Sequence, residues 1–130
     1  ERAPARLLVF KLGGKAELPP MPESEAVPEP PPLRADEDTV RRGAVLFANT
    51  CAQCHGQLAM GGVKDLRFMD RETHAQFNDI VLKGTRVDKG MASFANLLSV
   101  EDVEAIHAYI ISRAHEDWGR NVTASSPPGN

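Results

Sequence analysis

Cys51-Ala52-Gln53-Cys54-His55 is the stretch on which the reading of this chain turns. It holds both cysteines of the 130-residue sequence, three positions apart, with a histidine directly after the second. Three chemistries use such a pair. A zinc half-site needs two further Cys or His ligands at close spacing, and the chain has no other cysteine. A redox dithiol usually follows a strand and opens a helix, whereas the residues ahead of Cys51 read as a helix. The third chemistry is covalent haem attachment, whose pattern is C-x-x-C-H. Two thiols three positions apart near a helix end reach the two vinyl groups on one haem edge. The adjacent imidazole then lies under the iron and coordinates it. The context selects this reading: Cys51 and Cys54 as thioether sites and His55 as the proximal iron ligand.

Upstream of the motif, Val40, Gly43, Ala44, Phe47, Ala48 and Cys51 fall on one face at helical spacing. Asp36, Glu37 and Asp38 suit the positive end of that helix. Downstream, a second helix is expected from about Arg71 to Lys83, with Phe77, Ile80 and Val81 as its apolar side and Gly84 as its end. A third starts after Ser99, where Ser99-Val-Glu-Asp102 reads as a capping box with Asp in place of Glu. Its apolar stripe is Val103, Ile106, Ile110, Ile111 and Ala114. Regions 56–69 and 84–98 are glycine-containing loops. The expected fold is all-α, three main helices and long loops around one covalent haem over residues 36–118, with an extended N-terminal arm. A hydrophobic fraction of 42% with five Phe, one Tyr and one Trp makes a modest core, which a large flat apolar cofactor would complete.

The flanks read differently. Residues 19–35 form a linker, since seven of the fifteen residues at 19–33 are proline, which removes donors and fixes φ. An extended, exposed segment with little contact to the folded domain is expected there. Residues 1–18 contain one strand-like run, Ala5 to Leu12, stopped by Gly13-Gly14, and a lone strand is not stable. Residues 119–130 are expected to be a disordered tail. No apolar run approaches the ~20 residues of a bilayer span, and no basic-then-apolar signal segment opens the chain. An exported form is therefore expected to be a processed product or a piece of something larger. The net charge of −3 and pI of about 5.8 argue against nucleic acid and anionic membrane surfaces as partners.

A haem iron held by His55 takes Met, His or nothing on its other side. The candidates are Met60, Met69, Met91, His74, His107 and His115. Met60 and Met69 follow the motif closely and are expected to pack against the haem edge or the core. His74 and His115 lie on helices, where surface or hydrogen-bonded roles are expected, and His107 lies beside the buried stripe, where a satisfied structural role is expected. Met91 sits in a polar loop, Lys89-Gly90-Met91-Ala92-Ser93-Phe94, where a thioether has no helical reason to be. That loop is far enough from His55 to wrap to the opposite haem face, so Met91 is the expected distal ligand.

Gly43-x-x-x-Phe47-x-x-x-Cys51-x-x-Cys54-His55, loop Met91 and a last helix bearing Tyr109 resemble a class I cytochrome c over residues 36–116. More narrowly, the segments from Gly61 to Met69, His74 to Gly84 and Gly90 to Ile110 resemble the C-terminal cytochrome domain of quinohaemoprotein alcohol dehydrogenases. The opening Arg6-Leu-Leu-Val-Phe-Lys-Leu-Gly-Gly14 is similar to the last strand of the quinoprotein β-propeller that precedes this domain. The resemblance implies a periplasmic protein. It also implies a missing dehydrogenase domain holding pyrroloquinoline quinone (PQQ) and calcium, and single electrons passed through the haem to an external acceptor. No catalysis is expected from this chain alone. Relatives often carry a Pro near position 64, where this chain has Lys64; in many cytochromes c that Pro helps place the carbonyl that accepts the proximal imidazole N–H. A different residue is therefore expected to supply that bond. A free-standing electron shuttle and a haem catalyst or gas sensor are the competing functions; the last needs an open or weakly held sixth position.

Overall fold

The computed structural model describes residues 9–17, 20 and 26–124, and among them the regular elements are all helical. Helix α1 spans Glu37–Thr50. It starts at Asp36, whose extended backbone and side-chain bond to the Thr39 N–H (2.8 Å) cap the first turn. A single turn, α2 (Ala52–His55), follows at once. Helices α3 (Arg71–Ala75) and α4 (Phe77–Lys83) come next, and α5 (Val100–Ala124) closes the described chain. The expected capping box of α5 forms reciprocally: the Asp102 N–H donates to the Ser99 hydroxyl (3.2 Å) and the Ser99 N–H to the Asp102 carboxylate (3.0 Å).

The core is the crossing of α1 and α5. At Gly43 the two backbones come so close that a Cβ would lie 1.9 Å from the Ala105 carbonyl oxygen. Four residues on, Phe47 meets the ring of Tyr109, centroids 5.3 Å apart and tilted by 52°. Val103, Ile106, Ile110, Ile111 and Ala114 are all buried, as the stripe on α5 predicts. Arg42 pairs with Asp102 at the rim of the crossing.

The segment expected as one helix from Arg71 to Lys83 is broken at Gln76, whose φ/ψ of −95°/6° leaves the helical region. The break lets His74 and Phe77 both meet the ring of His107 on α5, with centroids at 5.1 and 4.3 Å. His74 Nδ1 and His107 Nε2 share a hydrogen bond of 2.8 Å. Gly84 does end α4, in the left-handed region at φ 65°.

The flanks depart from expectation in two places. Helix α5 runs on through Gly119 to Ala124 instead of ending at residue 118; a glycine costs a helix only about 1 kcal/mol, and the first proline comes at Pro127. Residues 125–130 lie outside the described residues. The linker is not free of the domain either. Val27 and Pro30 are buried, and the His115 Nε2 on α5 bonds the Pro31 carbonyl at 2.8 Å. Proline lacks an N–H but keeps its carbonyl, and here that acceptor is used. Of the strand-like arm, residues 1–8 lie outside the described residues; residues 9–12 form no strand and expose Val9, Phe10 and Leu12.

Two outcomes test this packing. Gly43→Ala should destabilise the protein by about 3 kcal/mol, because backbone faces the new methyl and the helices must part. Gly119→Ala, with nothing within 4 Å of the added Cβ, should be neutral or stabilising by up to about 1 kcal/mol; guanidinium melts of both compare them. The second outcome concerns pH. Burial pushes the His107 imidazole down to about 4, and the neighbouring His74 adds to this. Burial lowers His74 too, partly opposed by Asp70. An unfolded histidine takes up its proton near about 6.5, so between the two values the unfolded chain binds more protons. Stability contributed by neutral His107 is therefore complete above about pH 6.5 and lost as pH falls through about 4, by at most about 3 kcal/mol. Urea melts across that window should show a shallower loss in His107→Gln.

Candidate haem centre

Helix α1 delivers Cys51 to the site. The Cys51 N–H closes the helix on the Phe47 carbonyl (2.8 Å), and its φ/ψ of −111°/−32° turns the chain into α2. Helix α2 is just long enough to carry Cys54 and His55 on the same turn, with the His55 N–H bonded to the Cys51 carbonyl at 3.0 Å. The two cysteines are not joined to each other in a disulfide; Cys51 is half-buried and Cys54 exposed. Burial pushes the Cys51 thiol up, and the Thr50 hydroxyl, 3.2 Å from its sulfur, partly opposes this.

After His55 the chain reverses sharply. Gly56 sits at φ 78°, and a Cβ there would lie 2.1 Å from the Met60 carbonyl oxygen. Gly62, at φ 62°, is packed against the motif itself: a Cβ would lie 2.3 Å from the Cys54 carbonyl oxygen. The Val63 N–H then bonds that same Cys54 carbonyl at 2.8 Å. One residue later, the Lys64 carbonyl accepts from His55 Nδ1 at 3.0 Å. The expectation that another residue must supply this bond is thus corrected. The acceptor is main chain, which any residue offers, and the two glycines and the Val63 bond bring it into place without a proline ring. Donation from Nδ1 fixes the tautomer and leaves His55 Nε2 with a free lone pair.

Met91 stands in the loop between α4 and α5. The loop is held at both sides: the Met91 N–H bonds the Arg86 carbonyl (3.1 Å), the Phe94 N–H the Val81 carbonyl (2.8 Å), and the Ser93 hydroxyl the Leu82 carbonyl (2.5 Å). Gly90, at φ 87°, makes the turn just ahead of Met91. Cys51, Ala52, Leu66, Leu82, Met91 and Phe94 each pack against the buried core yet stay partly uncovered. The other candidates are accounted for otherwise. Met69 is buried in the core and Met60 is exposed; His74 and His107 bond one another, and His115 bonds the linker.

These residues fit a covalently held haem. Two unpaired thiols, an imidazole with one nitrogen tied and the other free, a loop thioether and a half-covered apolar margin are the donors and walls it requires. They do not fit zinc: among the described residues no three of His, Cys, Asp and Glu gather as a metal-ligand cluster. A groove of about 410 Å³ between Leu33, α1 and α5 is lined by none of Cys51, Cys54, His55 and Met91.

A cluster that sequence reasoning missed lies beside the site. Asp65 and Arg67 are both almost wholly buried, at 2% exposure, and Arg67 also pairs with Asp117 on α5. Burial pushes the Asp65 carboxyl up, but Arg67 and the N–H groups of Gly61 and Arg67 outweigh it and hold it below the ordinary carboxylate value. Asp65-x-Arg67 was legible as a charged pair in a loop; its partner on α5, 50 residues away, was not.

Comparison with known proteins agrees with this geometry. The family described as "Cytochrome C oxidase, cbb3-type, subunit III" matches residues 38–110. Quinohaemoprotein alcohol dehydrogenase ADH-IIG of Pseudomonas putida is 41% identical over 114 residues, covering 86% of this chain and 16% of that protein. The solved structure of ADHIIG from Pseudomonas putida superposes with a TM-score of 0.66 at 40% identity, over 85% of this chain and 17% of that one. Quinohaemoprotein alcohol dehydrogenase from Comamonas testosteroni superposes at 0.59 with 30% identity, over 89% of this chain and 16% of that one. The chain thus spans about a sixth of the length of the relatives it matches. With motif, helix crossing and half the chain in agreement, this chain belongs to the cytochrome c family, as a cytochrome domain of the kind found in quinohaemoprotein alcohol dehydrogenases.

Proposed function

We propose that this chain is the electron exit of a PQQ-dependent alcohol dehydrogenase. A cytochrome c domain implies a covalently bound haem c. In this reading there is one per chain, bonded through Cys51 and Cys54, with His55 as proximal and Met91 as distal ligand. The observation that carries it is the tie between His55 Nδ1 and the Lys64 carbonyl directly after C-x-x-C, which aims the other ring nitrogen as a ligand and needs no substrate to explain it. When bound, haem supplies one-electron exchange between ferrous and ferric iron. Met91 would then offer its thioether to the iron opposite His55, which would favour the reduced state and leave no room for a substrate. Phe94 and the apolar margin, packed against the buried core, would cover the haem face.

The preceding domain would hold PQQ and calcium and oxidise the alcohol. Residues 1–18 would be an arm continuing from that domain, and residues 19–35 the tether. The bond from His115 to Pro31 and the burial of Val27 support a short leash, which raises the effective concentration of donor and acceptor haem. A downstream redox acceptor would take the electron, and the place is the periplasm. Among the described residues no helix is long and apolar enough to cross a membrane.

Two measurements test the site. The chain's intact mass should retain one haem after acid–acetone extraction, and Cys51→Ser with Cys54→Ser should lose it; extractable haem in the parent would end the attachment claim. Met91→Ala should let carbon monoxide bind the reduced protein rapidly and should lower the reduction potential, while the parent resists the gas. Met60→Ala should leave both unchanged. Met69→Ala should keep the spectrum but cost about 2–5 kcal/mol of stability, since Met69 lies in the core. Loss of ligation in either control would name a different methionine.

A further inference from the structure

We infer that Arg67 is a positioning residue for His55, acting through the Lys64 carbonyl. The inference rests on His55 being the proximal ligand. Lys64 sits between two anchors. On one side the Val63 N–H is bonded to the Cys54 carbonyl at 2.8 Å. On the other, Asp65 has both carboxylate oxygens engaged. Its Oδ1 accepts from Arg67 Nε (2.9 Å) and the Arg67 N–H (3.2 Å), and its Oδ2 accepts from Arg67 Nη2 (2.6 Å) and the Gly61 N–H (3.1 Å). The remaining guanidinium nitrogen, Nη1, reaches across to Asp117 on α5, and Asp117 also receives Arg120. The planar fork of Arg67 therefore bolts the residue after Lys64 to the longest helix of the fold. The Lys64 side chain is exposed and its identity is not used; what matters is where its carbonyl stands.

A buried ion pair adds little net stability over an apolar replacement. What this one adds is a fixed direction for the main-chain carbonyl of Lys64, which faces His55. The Nδ1–H···O bond makes an imidazole more basic and so favours ferric iron. Loosening the bolt should weaken that bond and raise the reduction potential. Arg67→Lys separates this effect from charge, because lysine keeps the positive charge but, as a point donor, cannot bridge two carboxylates in a fork.

The test uses holoprotein. In Arg67→Lys the midpoint should rise, with the reduced-to-oxidised ratio at a fixed potential increasing about three- to tenfold, tenfold being about 59 mV for one electron. The His55 Nδ1–H, followed as a hyperfine-shifted proton signal, should exchange with solvent faster than in the parent, while the low-spin spectrum stays intact. A folded Arg67→Lys protein with the parent's midpoint and the parent's exchange rate overturns the inference. Should that variant fail to fold, Asp117→Asn, which weakens only the α5 arm, is read the same way. Faster exchange together with a raised midpoint supports the positioning role; a raised midpoint at unchanged exchange is a charge effect alone and overturns it. Absence of any hyperfine shift on His55 in the parent overturns the assignment of His55 as ligand itself, a result distinguishable from the other two.

Discussion

Where Gly43 presses on the Ala105 carbonyl, α1 and α5 have no room for even one more carbon. Much else in the fold hangs on that contact. Phe47, one turn further along α1, can reach Tyr109 only because the backbones are this close. The next turn ends α1 at Thr50, so the depth of the crossing also sets where Cys51 and the short α2 leave the bundle. On the other partner, α5 carries His107 to His74 and Phe77, Asp117 to Arg67, and His115 to the linker. One long helix is thus the common wall for the motif loop, the middle helices and the incoming chain.

The proximal side of the site is built from main chain more than from side chains. Glycines at 56 and 62 adopt positive φ, and a side chain at either would strike a carbonyl. The tight reversal they allow places the Val63 N–H on the Cys54 carbonyl and the Lys64 carbonyl on His55. A backbone so arranged does not depend on the side chain at position 64, which is exposed. The distal loop follows the same logic. The Phe94 N–H and the Ser93 hydroxyl take up the Val81 and Leu82 carbonyls near the end of α4, groups that the last turn of a helix leaves unpaired. Met91 is thereby held between a helix end and a glycine turn.

Ties between the domain and its own N-terminal segment bear on how such a module works. Anchoring at Pro31, beside buried Pro30 and Val27, fixes the direction in which residues 26–35 approach α1. In the proposed arrangement, a domain tethered in this way would search a small volume around its donor, which would raise their effective concentration. The quinohaemoprotein alcohol dehydrogenases that this chain resembles are several times its length.

By itself the sequence determined the chemistry and the helices that deliver it. The C-x-x-C-H spacing, the Gly43 and Phe47 positions, the Ser99–Asp102 cap and the apolar stripe of α5 are all local patterns, readable because a helix repeats every 3.6 residues and a cap spans three. The tertiary structure alone decided what meets across long separations. The break at Gln76 depends on the His107 ring 31 residues away. The buried Arg67 depends on Asp117, and the docked linker on His115. The carbonyl facing His55 was invisible for a different reason: every residue has one, and only the path of the loop decides which of them points at the ring.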